Sequence, residues 1–232
     1  ATESGLILSQ MWAHHFRGGL HHERNELAQA AGHLETVVKQ PYLAHYECLR
    51  SSLVELALAY QAQGRVRDAD ATARRLTQIG LELNIDSAIL RRSLDVRLAL
   101  AQHDVDAAVQ AAAGLPSTSL ASGLFLAEVP AITRAQALVA VGRPSECQQA
   151  LELLGGLETV ADESGAWRAL ARILALQALA LAAGGRDAEA LTRLERAVMV
   201  AEPLGLIRTF IDIGPALAPL LKRAGGPKLV CT

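Results

Sequence analysis

Apolar residues recur at helical spacing along most of the chain. Leu49, Leu53, Leu56 and Tyr60, for example, put one stripe on the helix expected over residues 44–63. The same pattern predicts helices over 5–17 and 21–39, before Pro41, and over 66–83. It resumes over 87–102, behind Asp86 as N-cap, and in a short helix behind Asp104. Further helices are expected up to Val141 from residue 124, and over 144–163, 166–183, 187–202 and 215–223. No segment alternates with the period of a strand.

A second periodicity lies above the helical one. Gly64, His103, Gly142 and Gly185 stand at turns 39, 39 and 43 residues apart. Seven residues before these markers are Ala57, Val96, Ala135 and Ala178, and five after them are Ala69, Ala108, Cys147 and Ala190. Small side chains let two helices cross closely, and glycine lets the chain reverse between them. The expected fold is therefore all-α: a right-handed α-solenoid of antiparallel helix pairs, about ten helices in all. A more degenerate first unit is expected around Gly18 and Gly19. Residues 1–113 form the N-terminal repeats and 114–123, rich in Gly, Ser and Pro, a loop and candidate hinge. Residues 124–224 form the C-terminal repeats and a closing helix, and 225–232, beginning Gly225-Gly226-Pro227, a tail.

Composition sharpens this. Aromatics are only 3 % of a chain that is 51 % hydrophobic, so the core must be built from Ala, Leu and Val, which suits closely packed helices. A net charge of −2 carries no basic excess for nucleic acid. Three cysteines, Cys48, Cys147 and Cys231, make no disulfide framework and fit a reducing compartment. No apolar run reaches membrane length, so a cytoplasmic location is expected.

The turns resemble those of the tetratricopeptide repeat, with a longer period. The C-terminal half is similar to the sensor array of MalT-type regulators, the large ATP-dependent members of the LuxR family. Residues 137–144, ALVAVGRP, resemble that family's "LLAQGRP" turn, and 180–190, ALAAGGRDAEA, with 194–197, LERA, its final repeat. Residues 201–214, AEPLGLIRTFIDIG, followed by Leu220-Leu221, resemble its "AEPEGYVRPFLDEG…LL" string, departing from it at Leu204 and Ile213. The resemblance implies a signal-sensing or protein-interaction array whose partners are a small-molecule effector or a regulatory protein or peptide. It also implies ATPase and DNA-binding modules elsewhere in the parent protein. No Gly-Lys-Ser/Thr phosphate loop occurs here, and the chain stops eleven residues past Leu221, so an excised array or a regulator without both modules is expected. A free-standing adaptor, or the array of a MalT-like Ser/Thr kinase, are the alternatives.

Catalytic constellations are not evident. Asp68 with Asp70, Asp104 with Asp106 and Asp162 with Glu163 lie near turns, where carboxylates favour helix N-termini. His14-His15 and His21-His22 flank Gly18-Gly19 and would face one another across two helices, without a third ligand type for a metal. No enzyme activity, cofactor or metal is expected. The groove is the candidate site. Six residues before each marker stand Leu58, Arg97, Gln136 and Leu179, and Arg172 should share their face. Arg97, Gln136 and Arg172 are the expected ligand-binding residues, able to grip a carboxylate, phosphate or polyol. Trp167 is either a stacking ring in that groove or a wedge between helices.

Overall fold

Every marker residue adopts the left-handed backbone that a tight helix reversal needs. In the computed structural model, which describes residues 3–117 and 128–224, φ is +74° at Gly64, Gly142 and Gly185 and +62° at His103. Histidine is among the few side-chain-bearing residues that tolerate this region. The amide after the marker reaches back to a carbonyl in the last turn, as from Arg65 to Tyr60 at 2.9 Å, Asp104 to Ala99 at 2.9 Å and Arg186 to Leu181 at 2.9 Å. These bonds close the helix ends.

The described residues form five antiparallel pairs and a closing segment, and no strand. The pairs are α1 (Glu3–Glu23) with α2 (Leu27–Val38), α3 (Tyr46–Ala62) with α4 (Val66–Glu82), and α5 (Ala88–Ala101) with α6 (Val105–Ala112). Then follow α7 (Pro130–Val141) with α8 (Pro144–Glu163), and α9 (Trp167–Ala183) with α10 (Asp187–Ala201). The closing segment holds α11 (Ile207–Ile211) and α12 (Ala218–Arg223), each preceded by a short 3-10 turn. The first helix of each pair packs on the first helix of the next, and α1 also meets α11, so the two ends of the array touch. This is an α-solenoid. All eight small residues of the repeat register, four before and four after the turns, are buried.

The first repeat departs from expectation. Gly18 and Gly19 do not end a helix: α1 runs through them to Glu23, and the turn comes at Asn25, with φ +61°. Asn25 stands 39 residues before Gly64, Gly18 seven before Asn25 and Ala30 five after it. The first unit is thus in full register, with asparagine at the turn. The two glycines serve close packing instead. A Cβ on Gly18 would lie 2.6 Å from Leu34 Cγ, and one on Gly19 would lie 2.8 Å from Glu55 Oε2. The four histidines consequently share one helix. His15 and His22 point inward and are buried, while His14 meets His33 of α2, Nδ1 to Nδ1, at 3.0 Å. Among the described residues no group of three or more His, Cys, Asp or Glu side chains is placed to hold a metal ion.

The carboxylates near the turns act as caps or ion-pair partners. Asp104 caps α6, accepting from the Ala107 amide at 2.9 Å. Asp86, expected as the N-cap of α5, stands one residue before the actual N-cap Ser87 and accepts from the Ala88 amide at 2.9 Å. Asp68 pairs with Arg65 and Asp162 with Arg196. The short α11 is a helix that the periodicity did not predict. The expected helical stretch at 124–127, most of the 114–123 loop and the 225–232 tail lie outside the described residues. Of the loop's described part, Leu115 is buried beside Val96, Ala108 and Ala137, and its carbonyl accepts from Arg134 at 2.9 Å. No helix among the described residues is long and apolar enough to cross a membrane.

Mid-helix glycine normally costs ~1 kcal/mol relative to alanine. Nothing lies within 4 Å of a Cβ built on Gly32 of α2. Gly32→Ala is therefore expected to raise stability by ~0.5–1 kcal/mol. Gly18→Ala should reverse that sign and cost ~1–3 kcal/mol, because Leu34 must move. Urea denaturation of the two variants checks the contrast.

Candidate functional site

Charged side chains on the inner helices are driven together because the surrounding surface is aliphatic. Glu128, immediately before α7, is buried and accepts from Ser93 Oγ at 2.6 Å, from Thr133 Oγ1 in a short contact, and from Arg97 Nη1 at 2.9 Å. The other arm of Arg97 reaches Asp212 Oδ2 at 3.0 Å, and Arg208 donates to the second oxygen of Asp212. Gln136 Nε2 donates to the Asp212 carbonyl at 2.9 Å, while its Oε1 accepts from Arg172 at 2.7 Å. Arg172 also donates to Thr133 at 2.9 Å.

A second group adjoins it. Arg168, at the start of α9, bridges Glu23 of α1 at 2.6 Å and Glu55 of α3 at 2.7 Å. The free oxygen of Glu23 accepts from the Thr209 amide at 3.2 Å and hydroxyl at 2.9 Å, which ties α1 to α11. Across the two groups four carboxylates face four guanidiniums, so the interior is close to charge-neutral. His22 lies beside them with no hydrogen-bond partner for either ring nitrogen.

Burial and pairing pull these groups in opposite directions, and pairing wins for the carboxylates. Desolvation alone would raise the Glu128 pKa, but Arg97, Arg172 and the two hydroxyls hold it down to about 2. Asp212 and Glu55 are likewise held below the usual carboxylate range by their cationic neighbours, against burial. Arg172 loses: burial and the nearby Arg97 lower it to about 10. For His22, burial outweighs the pull of Asp212 and Glu23 and lowers its pKa, so the ring is neutral.

Above this floor lies a cavity of about 900 Å³. One wall is the C-terminal halves of α3, α5, α7 and α9. The other is the closing segment, with Arg208, Asp212, Ile213, Pro219 and Leu220. Leu58, Arg97, Gln136 and Leu179, the four positions six before the turns, all border it. The chain resembles, over residues 2–225, the family described as the MalT-like TPR region.

The chain belongs to this family. Its MalT-like C-terminal string is the segment that faces the concave wall. Among solved structures, two of nearly identical TPR-like repeats from a Podosopora anserina putative kinesin light chain are similar, one of them a single-substitution variant of the other. They share 22 % and 23 % identity, cover 82 % of this chain and 94 % and 95 % of their own, and superpose with TM-scores of 0.46 and 0.45. No curated protein matches the chain.

Arg97, Gln136 and Arg172 are thus brought into one network of this MalT-like array, and the groups they hold are Glu128, Thr133 and Asp212 of the same chain. Trp167 is 46 % exposed and lies beside Gly165 at the start of α9, away from the cavity lining. Sequence reasoning missed Glu23, Glu55, Glu128, Arg168, Arg208 and Asp212. Some signal was there: Glu55 in LVELALAY, and Arg168 in WRALARILA, are charges inside apolar stretches that demand a buried partner.

Removing one member of a buried pair strands the other. Arg97→Ala is expected to cost ~3–5 kcal/mol by leaving Glu128 and Asp212 uncompensated, measured as a lower denaturation midpoint. The pH dependence has a separate source. His22 takes a proton below its ordinary value of 6.5 in the unfolded chain but resists it when folded. Stability is therefore complete above that pH and falls as pH drops below it. The melting temperature should decline between pH 7 and pH 5, and His22→Leu should flatten that decline in part, since His15 is lowered by burial as well.

Proposed function

We propose that this array is the signal-sensing domain of a MalT/LuxR-type bacterial transcriptional regulator, receiving an effector or regulatory partner in its concave groove. One observation carries the reading: the cavity is walled on one side by the inner helices of four repeats and on the other by the C-terminal string. An occupant must touch both. It therefore has the means to shift the string's position relative to the array, which is what coupling between a binding site and a distant module requires. The string is already held there by Arg97 and Gln136, so an effector that favours one placement of residues 207–221 biases an existing contact.

The division of the chain into 1–113 and 124–224 belongs to the same proposal. Residues 114–123 would be the joint across which an effector touching α3 and α7 draws the halves together. Catalysis is no part of this reading. Docking of a peptide by a free-standing adaptor is the alternative; no contact of this chain favours it over the sensor.

The test is a thermal-shift screen of candidate effectors against the purified chain. A true effector should raise the melting temperature of the parent protein. It should raise that of Ala140→Trp, which crowds the cavity, much less. An equal shift in both proteins would place the binding site elsewhere.

A further inference from the structure

The cavity's chemistry narrows the class of its ligand, on the reading that it is the effector site. We infer that it takes an uncharged, predominantly apolar molecule. Leu58, Leu100, Val139, Leu179, Ile213 and Pro219 line it from four different helices and the closing segment. Water against such walls is displaced favourably by hydrocarbon. The volume of about 900 Å³ lies within the roughly 300–1,000 Å³ of small-molecule sites.

The charges in the lining do not ask for a counter-charge. Arg97 and Arg208 are answered by Glu128 and Asp212 at one end. Asp187 and Arg223 answer each other at 2.9 Å at the other. At the buried Arg97 end an anionic or cationic ligand would have to break a pair or remain unpaired, and either is costly there. At the other end the half-exposed Asp187 and Arg223 already satisfy each other. A polyol fares little better. Its hydroxyls need many open donors and acceptors, while Gln136 is engaged through both its amide nitrogen and its oxygen. The lining otherwise offers chiefly the unpartnered Arg208 Nε, Gln61 and the exposed His103. A sugar would leave most of its hydroxyls against leucine and valine.

The experiment uses the intact chain and the uncharged fluorescent probe N-phenyl-1-naphthylamine. The expected result is saturable binding, reversed by 1-decanol at a concentration about tenfold or more below that needed with decanoate. Sucrose should not compete. Leu179→Gln, which places an amide in the wall, should weaken probe binding, whereas Leu81→Gln on the exposed face of α4 should leave it unchanged. The competition order in the parent protein decides the ligand class even where a variant does not fold.

Decanoate competing as well as decanol would overturn the inference of an uncharged ligand. Sucrose raising the melting temperature while the probe fails to bind would overturn the apolar class and leave the effector-site reading standing. Probe binding untouched in a folded Leu179→Gln variant places the apolar site outside the cavity and overturns the inference too. If no compound of any class, including those of the wider thermal-shift screen, binds in the cavity, the effector-site reading falls with it.

Discussion

Arg97 is the side chain on which the arrangement of the groove depends. It is 8 % exposed, on an inner helix, and its two arms hold carboxylates from segments 31 and 115 residues further along the chain. A guanidinium suits this because its planar fork offers several donors in fixed directions and stays charged when buried. Through Asp212 it fixes the closing segment over the concave wall, and through Glu128 it fixes the approach to α7. That grip adds a polar constraint on the spacing of the two walls to the apolar packing of Phe210, Leu217, Leu220 and Leu221.

Buried ion pairs of this kind are poor sources of net stability, since desolvating each charge offsets much of the attraction gained. What holds the array together is the aliphatic packing of the helix crossings, continuous from Val129 to Leu221 in one cluster and from Ala31 to Leu98 in another. The charged network sits between these apolar layers and selects one placement of α1, α9 and α11 among those that packing alone would permit. Specificity of placement is a reason for a folded chain to keep four carboxylates and four guanidiniums in its interior. The same balance explains why the cavity above them is not strongly charged.

The array also differs from an open repeat ribbon in that its ends are joined. Glu23 at the end of α1 accepts from Thr209 at the start of α11, and Arg168 links that carboxylate to α3. A solenoid whose repeats contact only their neighbours can loosen at either end independently. Here a disturbance at the closing segment reaches the first repeat directly, as well as the third and fourth through Asp212. That geometry ties residues 207–221 to the first, third and fourth repeats at once.

Much of the fold was legible in the sequence because its determinants are local. The turn residues, the small residues seven before and five after them and the cap Asp104 act within one helix pair, so their spacing along the chain is their spacing in space. The first repeat was misread for an equally local reason. Gly18 and Gly19 look like a turn, and only their packing against Leu34 and Glu55 shows that they are contact points within a continuous helix. The groove positions Leu58, Arg97, Gln136 and Leu179 were legible too, as they follow from the same register. What those side chains meet was not, because Glu128, Arg208 and Asp212 come from elements whose approach depends on how the repeats curve. Sequence alone determined the helix pairs, their register and the face that lines the groove. Tertiary structure decided that this face is covered by the chain's own C-terminal string and that its charges are internally paired. The curvature that brings Glu23 to Thr209 and Arg97 to Asp212 is a sum of small rotations at every helix crossing, and no single position in the chain encodes it.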